Sequence, residues 1–211
     1  MKFEELLQIV GDEPVFESML LLAGSVNPAD VRRQLSRWVQ MGRIVQLRRG
    51  LYALAAPFQK RRPHPFTAAN QMVRGSYVSC QSALSYYGVI PEFSAAITSV
   101  TLQRPAKWQT ALGRFVFQRI KANLFYGYNL TELGQNQQAF LATPEKALLD
   151  LIHLQPGGDS PAYLRELRLQ KIDDFKMDEV FRLAESTRSP KLIRAARQIG
   201  KFLNENEGYN L

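Results

Sequence analysis

At 211 residues, with 45% hydrophobic and 22% charged content, the chain can form one large or two small globular units, each with a core of its own. No apolar run approaches the ~18 residues of a membrane span, the start Met1-Lys2-Phe3-Glu4-Glu5 has no signal-peptide pattern, and a single cysteine, Cys80, with two histidines, His64 and His153, excludes a disulfide framework or a thiolate–imidazole zinc cage. The formal charge is +8, and residues 26–62 hold the whole excess: Arg32, Arg33, Arg37, Arg43, Arg48, Arg49, Lys60, Arg61 and Arg62 stand against Asp30, while the remainder balances. Such segregation is the footprint of a nucleic-acid-binding module, because Lys and Arg displace counterions condensed on phosphates.

Phe3, Leu6, Leu7 and Val10 follow helical spacing until Gly11, which predicts a first helix. A second is expected from about residue 12 to Gly24, through Phe16, Met19, Leu20 and Leu22. Asn27 as N-cap, Pro28 at the first position and Asp30 in the dipole-favoured first turn open a third, which runs to about Met41 and stops at Gly42. At about 100° per residue, Val31, Leu35, Trp38, Val39 and Met41 fall on one arc, and Arg32, Arg33, Ser36, Arg37 and Gln40 on the other. The apolar arc must pack on the first two helices. The polar arc is left for a partner, and its residue types read guanine and adenine edges or grip phosphate.

Ile44-Val45-Gln46-Leu47 and Leu51-Tyr52-Ala53-Leu54 read as the strands of a hairpin, with Gly50 supplying a positive φ at the Arg48-Arg49 tip. Three helices and a basic-tipped hairpin describe a winged helix-turn-helix over residues 1–56. In that arrangement the third helix enters the major groove and the hairpin tip lies on the backbone or in the adjacent minor groove. Arg33, Ser36, Arg37 and Gln40 are then the candidates for base edges. Arg32, Arg43, Arg48, Arg49 and the Lys60-Arg61-Arg62 triplet are the candidates for backbone contacts. The triplet sits among three prolines in residues 57–65, which read as a linker.

From residue 66 the pattern becomes mixed helix and strand. Helices are expected at residues 67–73 and 81–87, and strands at 77–79, 97–102, 115–120 and 139–142. Thr143-Pro144-Glu145 opens a further helix with a cap, a proline and an acid in favoured places. A helical tail follows at residues 161–169, 177–186 and 190–204. The whole is an α+β chain whose second unit, 66–211, is mixed α/β.

Chemistry outside the basic stretch is sparse. Gly75-Ser76 lacks the two following carboxylates that nucleotidyl transfer needs, and Gly24-Ser25 leads only to Asp30. Asp173-Asp174-Phe175-Lys176 is an isolated match to the paired acids and lysine of a metal-dependent nuclease. No Gly-x-x-x-x-Gly-Lys loop is present for nucleotide phosphates. Cys80 reads as a buried structural thiol, His153 as a dipole complement at a helix end and His64 as a solvated linker residue. Tyr86, Tyr87, Phe93, Trp108, Phe125, Tyr126 and Tyr128 read as packing aromatics rather than as a base-stacking platform. No catalytic, cofactor or metal site is assigned. A nucleic-acid-processing enzyme and an RNA-binding module are the alternatives to a DNA-binding regulator.

The run from Val31 to Ile44 (VRRQLSRWVQMGRI), followed by Leu47-Arg48-Arg49-Gly50-Leu51-Tyr52-Ala53, resembles the N-terminal winged helix of the AbiEi antitoxin family. So do residues 79–88 (SCQSALSYYG) and, most specifically, residues 142–151 (ATPEKALLDL). The resemblance implies a prokaryotic, cytoplasmic transcriptional repressor that binds inverted repeats of double-stranded DNA in its own promoter. It also implies the antitoxin role in a type IV toxin–antitoxin pair linked to phage resistance, opposite a nucleotidyltransferase-like toxin and without an obligatory stable complex. No enzymatic activity, cofactor or membrane association is implied.

Overall fold

Helix α1 (Phe3–Val10) turns Phe3, Leu6 and Val10 inward and ends at Gly11 with φ at 58°, a conformation that costs glycine no steric clash. The computed structural model describes residues 1–23, 26–92, 94–170 and 175–207, with side chains through residue 203. The second helix expected over residues 12–24 is not formed. Phe16–Glu17 is instead strand β1, and Ser18–Leu22 is a 3-10 turn. Val15 and Phe16 bury on opposite sides, the period of a strand. The tighter turn after them buries Leu21 alone and leaves Met19 73% exposed. Gly24 and Ser25 lie outside the described residues.

Helix α2 (Pro28–Gln40) begins where the Asn27 side chain accepts from the Ala29 amide at 2.9 Å. Val31, Leu35 and Trp38 bury in the core they share with α1, with the Trp38 ring edge-on to Phe3. Met41, expected on the apolar arc, is 65% exposed because the helix ends one residue before it. Strands β2 (Ile44–Arg48) and β3 (Leu51–Leu54) pair antiparallel, and β1 joins the other side of β3. All four β3 residues are buried, which requires cover on both faces of this sheet. Tyr52 and Leu54 belong to the core under α1 and α2, and Leu51 and Ala53 to the core of the following unit. The two cores share one small sheet.

The expected linker is accordingly packed. Phe58, in the 3-10 turn Ala56–Phe58, meets the Phe3 ring edge-on at 4.9 Å, and Pro63 is buried. The His64 amide donates to Gln137 Oε1 at 2.8 Å, while Gln137 Nε2 donates to the Arg62 carbonyl at 3.0 Å.

Beyond it lie α3 (Pro65–Met72), β4 (Ser76–Val78), α4 (Cys80–Tyr86), β5 (Ile97–Thr101), β6 (Ala106–Thr110), β7 (Gly113–Arg119), β8 (Tyr128–Glu132), β9 (Gln138–Ala142) and α5 (Pro144–Leu154). The helical tail is α6 (Pro161–Glu166), α7 (Met177–Ser186) and α8 (Pro190–Glu207). The strands form a mixed six-stranded sheet in the order β6-β7-β5-β4-β9-β8, with β5–β7 and β4–β9 parallel. The architecture is α+β. Its two edge strands, β6 and β8, are the ones that residue periodicity does not announce. No helix among the described residues is long and apolar enough to cross a membrane.

Helix α5 is the hub of this unit. Its cap, Thr143, accepts from the Lys146 amide, and its own amide donates to the Gly127 carbonyl at 2.9 Å. Buried Glu145 accepts from the Lys176 amide, the N-cap of α7, at 2.9 Å. Lys146 and Asp150, one helical turn apart, form an ion pair with side chains 3% and 2% exposed. The second carboxylate oxygen of Asp150 accepts from the Tyr77 hydroxyl at 2.9 Å and the Ser79 hydroxyl at 2.8 Å. Burial pushes Asp150 above the usual carboxylate range, opposed by the Lys146 ammonium and the two hydroxyls. The Lys146 stem lies against Gly127, where an added Cβ would approach Cγ to 3.0 Å. The Thr143–Asp150 segment is therefore an architectural joint, closed to solvent.

Candidate nucleic-acid interface

The cap at Asn27 and the burial of Val31, Leu35 and Trp38 set the rotation of α2. With those side chains inward, Arg32, Arg33, Ser36, Arg37 and Gln40 are all exposed on the opposite side. Arg33 forms an ion pair with Asp30, both side chains more than half exposed. A solvated pair of this kind contributes only ~0–1 kcal/mol and yields readily to a phosphate or base. Just past the helix, the Arg43 guanidinium lies over the Phe3 ring at 4.9 Å, which fixes its stem.

The hairpin tip divides its two arginines. Arg49 is exposed. Arg48 is turned away from solvent: its Nε donates to the Met72 carbonyl at 2.7 Å, its Nη2 to the Gln71 carbonyl at 3.3 Å and its Nη1 to the Arg49 carbonyl at 2.9 Å. Glu17 stands 3.5 Å from it and also pairs with Arg74 at 3.2 Å. Sequence reasoning sets Arg48 beside Arg49 as a backbone contact; the structure uses it as a bracket on the last carbonyls of α3. The cause is a one-residue bulge at Leu47, where Gln46 pairs with Tyr52 and Arg48 with Leu51. Arg48 thereby takes the face of Leu51, toward the second core.

The triplet after the hairpin is also divided. Lys60 and Arg61 both reach Asp12, at 3.0 and 3.5 Å, and the hydrogen bond and charge of Lys60 hold the Asp12 carboxyl below its ordinary range. The Arg62 side chain is exposed and, with His64 and Gln137, lines a cavity of about 370 Å³.

A second set of cations is masked by the charge balance of the remainder. From residue 94 to 131 the chain carries Arg104, Lys107, Arg114, Arg119 and Lys121 and no acid. All five are exposed, and among the described residues none is in an ion pair. Strand β6, which carries Lys107, lies against β2 of the hairpin, so this cationic surface adjoins the first. Charge counted over short windows, rather than over the remainder as a whole, reveals it.

Two other groups differ from their sequence reading. His64 is half-buried, and its Nδ1 accepts from the Phe66 amide at 3.2 Å as the N-cap of α3. Burial lowers its pKa from the ordinary histidine value, and does the same to His153 at the end of α5, which weakens any complement of that helix dipole. Cys80 is 2% exposed, and burial pushes its thiol far up. Among the aromatics, Tyr77 stacks on Tyr128 at 4.5 Å and Trp108 meets Phe117 edge-on. Phe93 and Asp173-Asp174 lie outside the described residues. Among the described residues no group of three or more His, Cys, Asp and Glu side chains is arranged to hold a metal ion.

No family model and no curated protein matches the chain. A solved structure does: the chain is similar in fold to the Rv2827c protein of Mycobacterium tuberculosis, with a TM-score of 0.52, 18% identity, and 93% of this chain and 75% of that one covered.

Proposed function

We propose that the chain is a sequence-specific, double-stranded-DNA-binding transcriptional repressor whose residues 1–56 act as a winged helix-turn-helix. In this reading β1 and the 3-10 turn replace a full second helix, α2 is the reading helix, and the β2–β3 hairpin is the wing. The observation that carries it is the division of α2: every buried side chain is apolar, and the free face presents three arginines, a serine and a glutamine in two and a half turns. Arg33, Ser36, Arg37 and Gln40 meet base edges. Arg32, Arg43, Arg49 and Arg62 meet phosphates, and Lys107 and Arg114 extend that contact to flanking duplex. Arg48 is reassigned from backbone contact to support of the wing. The AbiEi-like segments suggest the setting: an autoregulatory antitoxin, cytoplasmic and prokaryotic, paired in function with a nucleotidyltransferase-like toxin.

Fluorescence anisotropy with promoter duplex tests the assignment. Arg33→Ala and Arg37→Ala each weaken operator binding by about 1–3 kcal/mol and relax specificity, whereas Arg49→Ala weakens all sequences alike and lowers the salt slope by about one. Unchanged operator affinity in the double Arg33→Ala, Arg37→Ala variant would remove α2 from the reading role. Co-expression with the product of an adjacent nucleotidyltransferase-like gene tests the antitoxin role, the expected outcome being restored growth.

A further inference from the structure

The six-stranded sheet ends in two edges of different character. Edge β6 carries exposed Lys107, follows Pro105 and has β2 against it, the devices that keep an edge from recruiting other strands. Among the described residues, edge β8 has none of them. From Gly127 to Glu132 there is no lysine, arginine or proline, and β8 pairs with β9 without a register shift. Leu130 is 55% exposed and its cross-strand neighbour Phe140 is 44% exposed. They form an apolar strip with Tyr128, whose ring meets Phe140 edge-on at 5.8 Å.

The hydrogen bonds at the two ends of β8 fix which backbone groups face outward. The Gly127 carbonyl accepts from Thr143 and the Leu133 amide donates to Gln137, so the odd-numbered residues 127–133 direct their polar groups to β9. Tyr128, Leu130 and Glu132 therefore direct N–H and C=O away from the sheet. This row is symmetric about Leu130.

We infer that β8 is the contact surface for a second copy of this chain, through antiparallel, two-fold pairing of the two β8 edges centred on Leu130. Such pairing sets Leu130 against Leu130 and Tyr128 against Glu132 of the second copy, and satisfies all six outward groups of the three residues on each edge. The charge pattern suits a self-match. Glu132, the one ionised side chain of the strand, is held by Gln138 and faces a tyrosine rather than its own image. The two glutamates end up about four residues apart, roughly 13 Å, beyond a Debye length at physiological salt. Leu130 and Phe140 of both copies then close into one apolar strip across the axis. A single edge-to-edge contact belongs to the small, reversible class of interfaces, so the dimer forms with rising concentration.

Light scattering of the full chain from about 5 to about 200 µM tests this without DNA, so its outcome is independent of the reading proposed for α2. The expected result is a rise from the 24.0 kDa monomer toward twice that mass. Leu130→Lys, which sets two like charges against each other at the axis, is expected to raise the dissociation constant at least tenfold with an unchanged circular dichroism spectrum. Amide exchange on the unmodified chain gives a second readout that needs no variant: the Leu130 amide gains protection with concentration, while the Asn129 amide, already bonded within the sheet, does not change. A monomer at every concentration, a dimer indifferent to Leu130→Lys, or a Leu130 amide that exchanges freely in the dimer would overturn the inference, including where a strand of another protein proves to fill the edge.

Discussion

Replacing Arg48 by alanine separates the structural role of the hairpin tip from the nucleic-acid role proposed for it. The side chain is 25% exposed, and its Nε–Met72 carbonyl bond, at 2.7 Å, is its most sheltered. Charge-assisted bonds of this kind contribute about 1.5–3 kcal/mol, whereas the more exposed Gln71 and Arg49 carbonyls can turn to water at little cost. Loss of the bracket is therefore expected to destabilise the protein by about 2 kcal/mol. For a chain of this size that corresponds to roughly 4–8 °C in Tm. Arg49→Ala, one residue away and exposed, is expected to leave Tm within about 1–2 °C, because surface changes stay within ±0.5 kcal/mol. Thermal and urea denaturation of the two variants side by side measure the difference. An Arg48→Ala protein as stable as its parent, or an Arg49→Ala protein equally destabilised, would refute the view that the Leu47 bulge directs Arg48 into the protein.

The buried pair on α5 makes a second expectation. Lys146→Met leaves Asp150 charged and unpaired, at a cost of about 3–5 kcal/mol, and adding Asp150→Asn should restore much of the loss because the amide oxygen still accepts from Tyr77 and Ser79. The sign with pH follows from the raised carboxyl: the folded single variant binds a proton more tightly than the unfolded chain, so its stability is greatest in acid and declines as pH rises from about 4, which equilibrium unfolding across pH would record. His64 and His153, lowered from 6.5, act oppositely: the stability their neutral forms support is complete above pH 6.5 and is lost as pH falls below it. His64→Asn, which keeps a capping acceptor, should flatten that dependence by up to about 1.4 kcal/mol per pH unit. Finally, Lys107→Ala with Arg114→Ala should lower the salt slope of binding to a long duplex by about 2 and leave that of a minimal operator unchanged; equal slopes on both would detach the β6–β7 surface from DNA.

The elements most legible in the chain are those punctuated by local chemistry. Asn27-Pro28 and Gly42 bracket α2, and Thr143-Pro144 opens α5, because caps, fixed φ and positive φ act within a few residues. What escaped depends on partners distant in sequence. Strand β1 exists through pairing with β3, some 35 residues on, and a run of leucines at residues 20–22 imitates a helix when read alone. Edge strands β6 and β8 are half-solvated and carry polar residues, so alternation is weak. The exposed face of α2 was legible because burial of Trp38 and Leu35 dictates it. The inward turn of Arg48 was not, since a bulge becomes visible only when both strands of the hairpin are in register.

Strand β3, with Leu51 and Ala53 facing one core and Tyr52 and Leu54 the other, also determines how this protein can be taken apart. A fragment ending near residue 60 would bare Val15, Leu47, Leu51 and Ala53 to water, and the remaining fragment would lose those side chains from its core. Neither piece retains the surface it was built against. The same common wall leaves no slack between the two cores: a tilt of α2 must be transmitted to α3 and the large sheet, so the two ends of the molecule respond to one load as a single lever.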